Sequence, residues 1–164
     1  MATETSEIDT VRSEFIEKVG LIAQDDGLPK TAGRMFGLFI FDNETVSFGD
    51  LAAQLQVSRA SVSSSVRLLE TWGILKRVSK PGERQDFFRL AARPCENMLK
   101  RTRERVRQAR DDVLASARRL PPEKDDIKSR IDAFAGLYAV LDQSLGSALD
   151  HIQEDAPRGA VSEE

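Results

Sequence analysis

The stretch from residue 45 to residue 91 constrains the fold most, because its pattern changes repeatedly over short distances. Residues 45–48 read as a brief extended piece, and residues 48–56 carry apolar side chains at helical spacing. After a turn, Ser58 is a favoured N-cap for a helix over residues 59–71. The segment therefore predicts a short strand followed by two short helices that are joined by a turn.

A β-hairpin is predicted directly after the second of these helices. Gly73 is a typical residue just beyond a helix end, and strands are predicted over residues 74–79 and 85–90. Pro81 and Gly82 occupy the central positions of the turn between the strands, which is the signature of a type II turn. The order of elements predicts a winged helix-turn-helix, in a fold that is all-α apart from a small β-hairpin wing (α+β).

Amphipathic helices are predicted on both sides of this segment. The first ends near Gly27, and a second helix over residues 29–41 is apolar nearly all round. A helix follows Pro94, and the last helix, over residues 123–153, has apolar residues at alternating steps of four and three. We interpret the apolar faces of the first and last helices as a dimerisation layer. Its predicted residues are Ile8, Val11 and Phe15 in the first helix and Ile127, Ile131, Phe134, Tyr138, Leu141 and Leu145 in the last.

These elements predict four parts along the chain. Residues 1–28 form an N-terminal dimerisation helix, and residues 29–92 form the winged helix-turn-helix. Residues 93–154 supply a linker helix and the C-terminal dimerisation helix. The tail over residues 155–164 is polar and is predicted to be disordered.

The charge of the chain is distributed unevenly, although its net value is only −3. Residues 58–119 hold 16 basic and 7 acidic side chains, a net of +9, and the two flanking segments together carry −12. Such asymmetry points to an anionic partner. The alternative is that helical faces of opposite charge pack against each other.

The helix over residues 59–71 has a face suited to reading double-stranded DNA. Val62, Val66 and Leu69 share one side, whereas Arg67 lies opposite among small residues. Such a face enters the major groove without a clash, where arginine bonds a guanine edge and hydroxyl groups bond bases or phosphates. The alternative is a serine-rich run that is merely solvated. The predicted DNA-binding residues here are Ser58, Arg59, Ala60, Ser61, Ser63, Ser64 and Arg67.

The predicted hairpin tip carries Lys80 and Arg84 on either side of its turn. A rigid turn with two cations suits the minor groove or the phosphates beside it, and these two residues complete the predicted DNA interface. The alternative is an ordinary solvated hairpin end. Lys76, Arg77 and Arg89 on the strands are weaker candidates for phosphate contacts.

Four segments of the sequence resemble the MarR class of transcriptional regulators, in particular the branch around the glycine-betaine synthesis repressor GbsR. They are residues 27–34, 51–63, 68–75 and the predicted wing over residues 80–88, and they occur in the family's order. The resemblance implies a homodimer that binds a pseudo-palindromic operator, usually as a repressor. It also implies that a small effector binds between the dimerisation helices and the winged domain.

Aromatic side chains supply candidates for an effector pocket. Such a group can hold a quaternary ammonium ion by cation–π contact, although ordinary core packing is the alternative. Cys95 at a helix start suggests a redox switch, and the arginines of residues 100–110 either pair with acidic groups or extend a phosphate contact surface. The predicted pocket residues are Phe15, Phe39, Trp72, Phe88 and Tyr138.

Several classes of function find no support in the sequence. One cysteine and one histidine exclude a multi-cysteine zinc site and argue against a metal centre or a histidine-based enzyme, and we expect no cofactor. The N-terminus is acidic and no apolar run approaches a membrane-spanning length, so we expect a cytoplasmic protein without a membrane partner. A winged helix used only to bind proteins is a further alternative, which the cationic reading face argues against.

Overall fold

The structure, a computed structural model, describes the backbone of residues 2–155 and the side chains of residues 6–154. The predicted disordered tail, apart from Asp155, lies outside the described residues. The chain divides into two compact units, Met1–Pro94 and Cys95–Glu164. The helices are α1 (Ala2–Asp25), α2 (Lys30–Asp42), α3 (Phe48–Leu55), α4 (Arg59–Thr71), α5 (Pro94–Ala117) and α6 (Asp125–Asp155), with a 3₁₀ turn at Pro122–Lys124, and the strands are β1 (Val46–Ser47), β2 (Leu75–Val78) and β3 (Phe87–Leu90).

The three strands form one antiparallel sheet in the order β1-β3-β2. In the hairpin Leu75 lies opposite Leu90, and on the other side of β3 Val46 lies opposite Phe88. Strand β1 therefore anchors the hairpin to the start of α3. The mostly helical chain with this small sheet confirms the predicted fold class.

The predicted ends of α4 and the predicted hairpin turn are present. The Ser58 side chain accepts a hydrogen bond from the Ser61 N–H, and Gly73 has a φ of +67° beyond the end of α4. At the hairpin tip Gly82 has a φ of +82°, and the Glu83 N–H donates to the Lys80 carbonyl at 3.1 Å. A positive φ at the third position and this bond are the features of a type II turn.

One hydrophobic core organises the first unit. Helix α2 lies largely within it, as its apolar sequence predicts, and α3, α4 and the sheet pack around it. The buried side of α4 packs against this core, so its opposite side is exposed to solvent. The core side chains with less than 2% exposure include Met35, Leu38, Phe39, Leu51, Leu55, Val62 and Phe88.

Helix α1 packs closely on α2 within the same unit. A Cβ added at Gly33 would lie 2.4 Å from the Ala23 Cβ and 2.7 Å from the Val19 carbonyl oxygen. Arg12 also donates from Nε to the Asp42 carboxylate at 2.7 Å. The predicted boundary at residue 28 thus falls inside the first unit, and the dimerisation role of α1 stays a prediction.

In the second unit, ion pairs connect α5 with α6. Asp142 accepts hydrogen bonds from Arg103 at 2.6 Å and from Arg107 at 2.8 Å. The hydrogen bond from Arg103, with the help of Arg107, lowers the pKa of Asp142 from its ordinary value. Near the C-terminal end of α6, Gln153 donates to the buried Glu96 at 2.9 Å. At least part of the arginine-rich stretch therefore pairs with acidic groups.

The predicted dimerisation residues differ in exposure. Ile8, Val11, Phe134 and Leu141 are exposed in the single chain, whereas Phe15, Ile127, Ile131, Tyr138 and Leu145 are half-buried. Leu137 and Val140 are 54% and 62% exposed, so with Phe134 and Leu141 they form an exposed apolar stripe on α6. We call these four residues the α6 stripe.

Within residues 2–155, no helix combines the length and the apolar character that crossing a membrane requires.

Candidate nucleic-acid interface

The turn between α3 and α4 sets the direction in which α4 leaves the core. Ser47 caps α3 by accepting a hydrogen bond from the Asp50 N–H at 3.1 Å. Gln56 ends α3 with a φ of +53°, a left-handed conformation that lets the chain reverse within a few residues. Helix α4 then buries Val62 and Val66 against the core.

The side of α4 that faces solvent has the composition that the helical wheel predicts. Ala60, Ser64 and Arg67 are exposed, and Ser61 and Ser63 are half-buried beside them. The Ser64 hydroxyl donates to the Ser61 carbonyl at 3.1 Å, so its lone pairs remain available to accept a hydrogen bond. Short side chains keep this face narrow.

Two arginines of α4 lie in different surroundings. The Arg59 guanidinium carbon lies 4.9 Å from the centroid of the Phe48 ring, a cation–π contact that holds it over α3. Arg67 is exposed and forms no ion pair within the described side chains. Arg67 is therefore the cation of α4 that is free to reach a base edge.

The N-terminus of α4 is a further anchor for a phosphate. The Ser58 oxygen accepts from the Ser61 N–H at 3.1 Å and lies 3.0 Å from the Ser61 hydroxyl. The other first-turn N–H groups of a helix lack intrahelical partners, and the helix dipole is positive at this end. An anion placed here receives hydrogen bonds from the backbone.

The hairpin tip presents two cations. The Lys80 ammonium lies 4.2 Å from the centroid of the Phe87 ring, which steadies it on one face of the hairpin. Arg84 is exposed and forms no ion pair with a described side chain. Both lie between β2 and β3, in the same unit as α4.

The strand cations separate into two groups. Arg77 donates to Glu70 and to Asp86, and its hydrogen bond to Glu70 raises the pKa of Arg77. Lys76 and Arg89 are exposed and lie directly opposite each other across β2 and β3. The sequence does not distinguish the three residues, because the pairing of Arg77 with Glu70 and Asp86 depends on how α4 and the hairpin pack.

The predicted effector residues come from both units. Phe39 and Phe88 are fully buried in the core of the first unit, and Phe15 packs against the Phe41 ring at a centroid distance of 5.9 Å. Trp72 is half-buried, and Tyr138 belongs to the second unit, where its ring contacts Phe134. The effector pocket stays a prediction.

Known proteins resemble this chain over most of its length. Residues 36–85 match a family model described as MarR family. The HTH-type transcriptional regulator MmpR5 of Mycobacterium tuberculosis strain H37Rv is 30% identical over 147 residues, which cover 87% of this chain and 89% of that protein.

A crystal structure of a transcriptional regulator is similar to this chain with a TM-score of 0.77 and 24% identity, over 87% of this chain and 98% of that one. At this identity the similarity shows the fold alone. It agrees with the helix-turn-helix and hairpin described above. From the relative and the family model together, the chain belongs to the MarR family of DNA-binding transcriptional regulators.

Proposed function

We propose that this protein binds a specific double-stranded DNA operator as a homodimer, with α4 in the major groove and the hairpin tip at the minor groove. The observation that carries the proposal is the exposed face of α4, which is narrow and holds Arg67 without an ion pair to any described side chain. An arginine of this kind makes a bidentate contact with a guanine edge. The regulator acts as a repressor when its operator overlaps a promoter.

The contacts around Arg67 divide into those that read bases and those that hold the backbone. Ser61, Ser63 and Ser64 offer hydroxyl groups to bases or phosphates, and Ala60 offers a methyl group that fits a thymine methyl. Ser58 and the start of α4 hold a phosphate, which fixes the register of the helix on the duplex.

The hairpin tip adds a second contact on the same half-site. Lys80 and Arg84 flank a turn whose backbone is held by the bond from Glu83 to Lys80. Cations on a rigid turn suit a narrow minor groove, where the electrostatic potential is most negative.

A homodimer is supported by apolar surface that the single chain leaves uncovered. The α6 stripe is exposed over four large residues, and on α1 Ile8 and Val11 border an open groove of about 290 Å³ with Phe41. Burying such surface drives association. A two-fold dimer presents two α4 helices, which predicts a pseudo-palindromic operator.

The GbsR-like branch and release by a small effector remain expectations from the sequence. Burial of Phe39 and Phe88 in the core favours a packing role for these two residues. The redox switch at Cys95 also stays a prediction. Cys95 is exposed, and the sequence contains no second cysteine.

The test uses a duplex recovered from a random DNA pool with the full-length protein, followed by affinity measurements with Arg67→Ala. We expect an affinity loss of about 1–3 kcal/mol at the selected duplex and a smaller loss at an unrelated duplex. Arg130→Ala removes an equal charge from α6 and serves as the control, because among the described side chains Arg130 pairs only with the neighbouring Asp126.

Affinity within a factor of about two for Arg67→Ala would show that α4 is not the reading helix. Binding should also weaken steeply with salt, because several phosphates are neutralised per protomer.

A further inference from the structure

A cluster of three charged residues joins the reading helix to the hairpin. Arg77 in β2 donates from Nη2 to Glu70 at 3.1 Å and from Nε to the same carboxylate at 3.2 Å. Its Nη1 donates to Asp86 at 2.7 Å. The guanidinium also lies 5.3 Å from the centroid of the Phe88 ring, so its plane is held from a third direction.

The three residues come from the elements that must keep a fixed spacing for DNA binding. Glu70 lies in the last turn of α4, and Asp86 directly precedes β3. Asp86 is itself held by its backbone, because the Phe48 N–H at the start of α3 donates to its carbonyl at 2.9 Å. Arg77 therefore links α4 to both strands of the hairpin.

The charges of the cluster do not suit a direct contact with phosphate. Arg77 faces two carboxylates, so the three side chains together carry a net negative charge. Arg67 and Arg84 by contrast are exposed and have no acidic partner among the described side chains. Two carboxylates beside a DNA-binding surface repel phosphates. Their presence is explained if they hold the hairpin in a fixed position relative to α4.

We propose that Arg77, with Glu70 and Asp86, is a positioning residue that fixes the hairpin tip relative to α4, so that both reach one DNA half-site together. The inference rests on the proposed function, since it concerns the same interface. Arg77 acts through the spacing of two contact elements and does not itself touch DNA. Pre-organising the tip removes an ordering cost that binding would otherwise carry.

The decisive variant is Glu70→Gln, because the two interpretations predict opposite signs. Removal of a negative charge near DNA strengthens binding if only the overall field matters. Loss of the Arg77 contact weakens binding, by about tenfold, if the cluster positions the tip. Glu83→Gln is the matched control: Glu83 is an exposed acid at the tip without an ion pair to a described side chain, and its removal should leave binding equal or tighter.

Arg77→Lys separates positioning from charge. Lysine keeps the positive charge but cannot bond two carboxylates in a planar arrangement. We expect Arg77→Lys to weaken binding as Glu70→Gln does, because either variant displaces the tip that carries Lys80 and Arg84. Affinity equal to that of the parent protein would overturn the proposal.

Hydroxyl-radical footprinting of the selected duplex reads out the position of the tip. Glu70→Gln should lose protection at the outer flanks of the site while the central protection remains, and Arg84→Ala should give the same pattern. Uniform loss of protection in Glu70→Gln contradicts the inference. Thermal unfolding is measured for each variant, and because surface ion pairs contribute little to stability, we expect similar midpoints.

The outcomes distinguish the inference from the function on which it rests. If Arg67→Ala weakens binding but Glu70→Gln and Arg77→Lys do not, the interface stands and the positioning role is wrong. If the random pool yields no duplex, the proposed function fails and the inference fails with it.

Discussion

Arg67 and Arg77 show how much the surroundings decide what a side chain does. Both are counted in the basic central segment, and both lie in the winged unit. Arg67 is exposed on α4 without an acidic partner among the described side chains, whereas Arg77 bonds Glu70 and Asp86. Only the first is available to DNA, so a count of cations overstates the DNA-binding surface.

Asp142 gives a pH dependence with a defined sign. Its pKa is lowered in the folded protein by the hydrogen bond from Arg103, so its contribution to stability is present above its unfolded pKa, about 3.9. That contribution is lost as the pH falls through the folded value. Between about pH 5 and pH 2, we expect the free energy of unfolding to change less for Asp142→Asn than for the parent protein.

Urea unfolding followed by circular dichroism at a series of pH values measures this difference. Asp126→Asn is the control, because the ion pair that Asp126 forms within the described part of the chain is with exposed Arg130 one turn away, and water largely screens it. Parallel curves for the parent protein and Asp142→Asn would show that the pairing with Arg103 contributes nothing to folding.

The contact between α1 and α2 depends on the absence of side chains at their crossing. At Gly33 an added Cβ would meet the Ala23 Cβ and the Val19 backbone, neither of which can move without separating the helices. Gly33→Ala should therefore destabilise the protein by about 1–3 kcal/mol, despite the better helix propensity of alanine.

Denaturant unfolding measures that loss, with Gly49→Ala in α3 as the control. A Cβ at Gly49 would make only ordinary contacts, 3.6 Å from the Gln85 side chain, so this variant should be as stable as the parent or more so. Equal stability of the two variants would mean that α1 does not pack on α2 as described.

The hairpin places two like charges directly across its strands. Lys76 and Arg89 form a cross-strand pair, and neither has an acidic partner within the described residues. Like charges in this arrangement repel, which costs a few tenths of a kcal/mol (roughly 0.2–1). An anionic partner relieves that repulsion.

Lys76→Thr should therefore raise stability slightly and weaken DNA binding. Threonine also has a high strand propensity, which should raise the stability further. The slope of log affinity against log salt concentration should decrease by about one, as for a lost phosphate contact. If Lys76→Thr is more stable but the salt dependence of DNA binding is unchanged, Lys76 and Arg89 lie outside the DNA interface.

Assembly of the proposed dimer can be tested on the α6 stripe. Leu137→Glu places a carboxylate on a face that the single chain exposes, so folding is unaffected while burial against a second copy is penalised. We expect the dimer dissociation constant to rise by about 100-fold or more and operator affinity to fall with it.

Sedimentation velocity over a range of concentrations measures this change. Gln143→Glu adds the same charge to an exposed position of α6 that is not part of the stripe, and it should remain dimeric. Sedimentation of the parent protein as a monomer at micromolar concentration would contradict the dimer outright.

The local structure of the winged unit follows from the sequence because its determinants are close together in the chain. The Ser58 cap, Gly73 beyond α4 and the Pro81-Gly82 turn each act within a few residues, and the structure confirms all of them. The spacing of Val62 and Val66 likewise predicts which side of α4 is buried. Backbone sterics and helical periodicity are sufficient for these features.

Tertiary structure alone decided which charges are paired and which apolar residues stay exposed. Glu70, Arg77 and Asp86 meet because α4 and the hairpin fold together, and no local pattern predicts that meeting. On α6, the repeat of apolar residues is one continuous pattern in the sequence, but packing within the second unit leaves Tyr138 half-buried and Leu137 exposed. Ion pairing and burial depend on distances through space, which the order of residues does not specify.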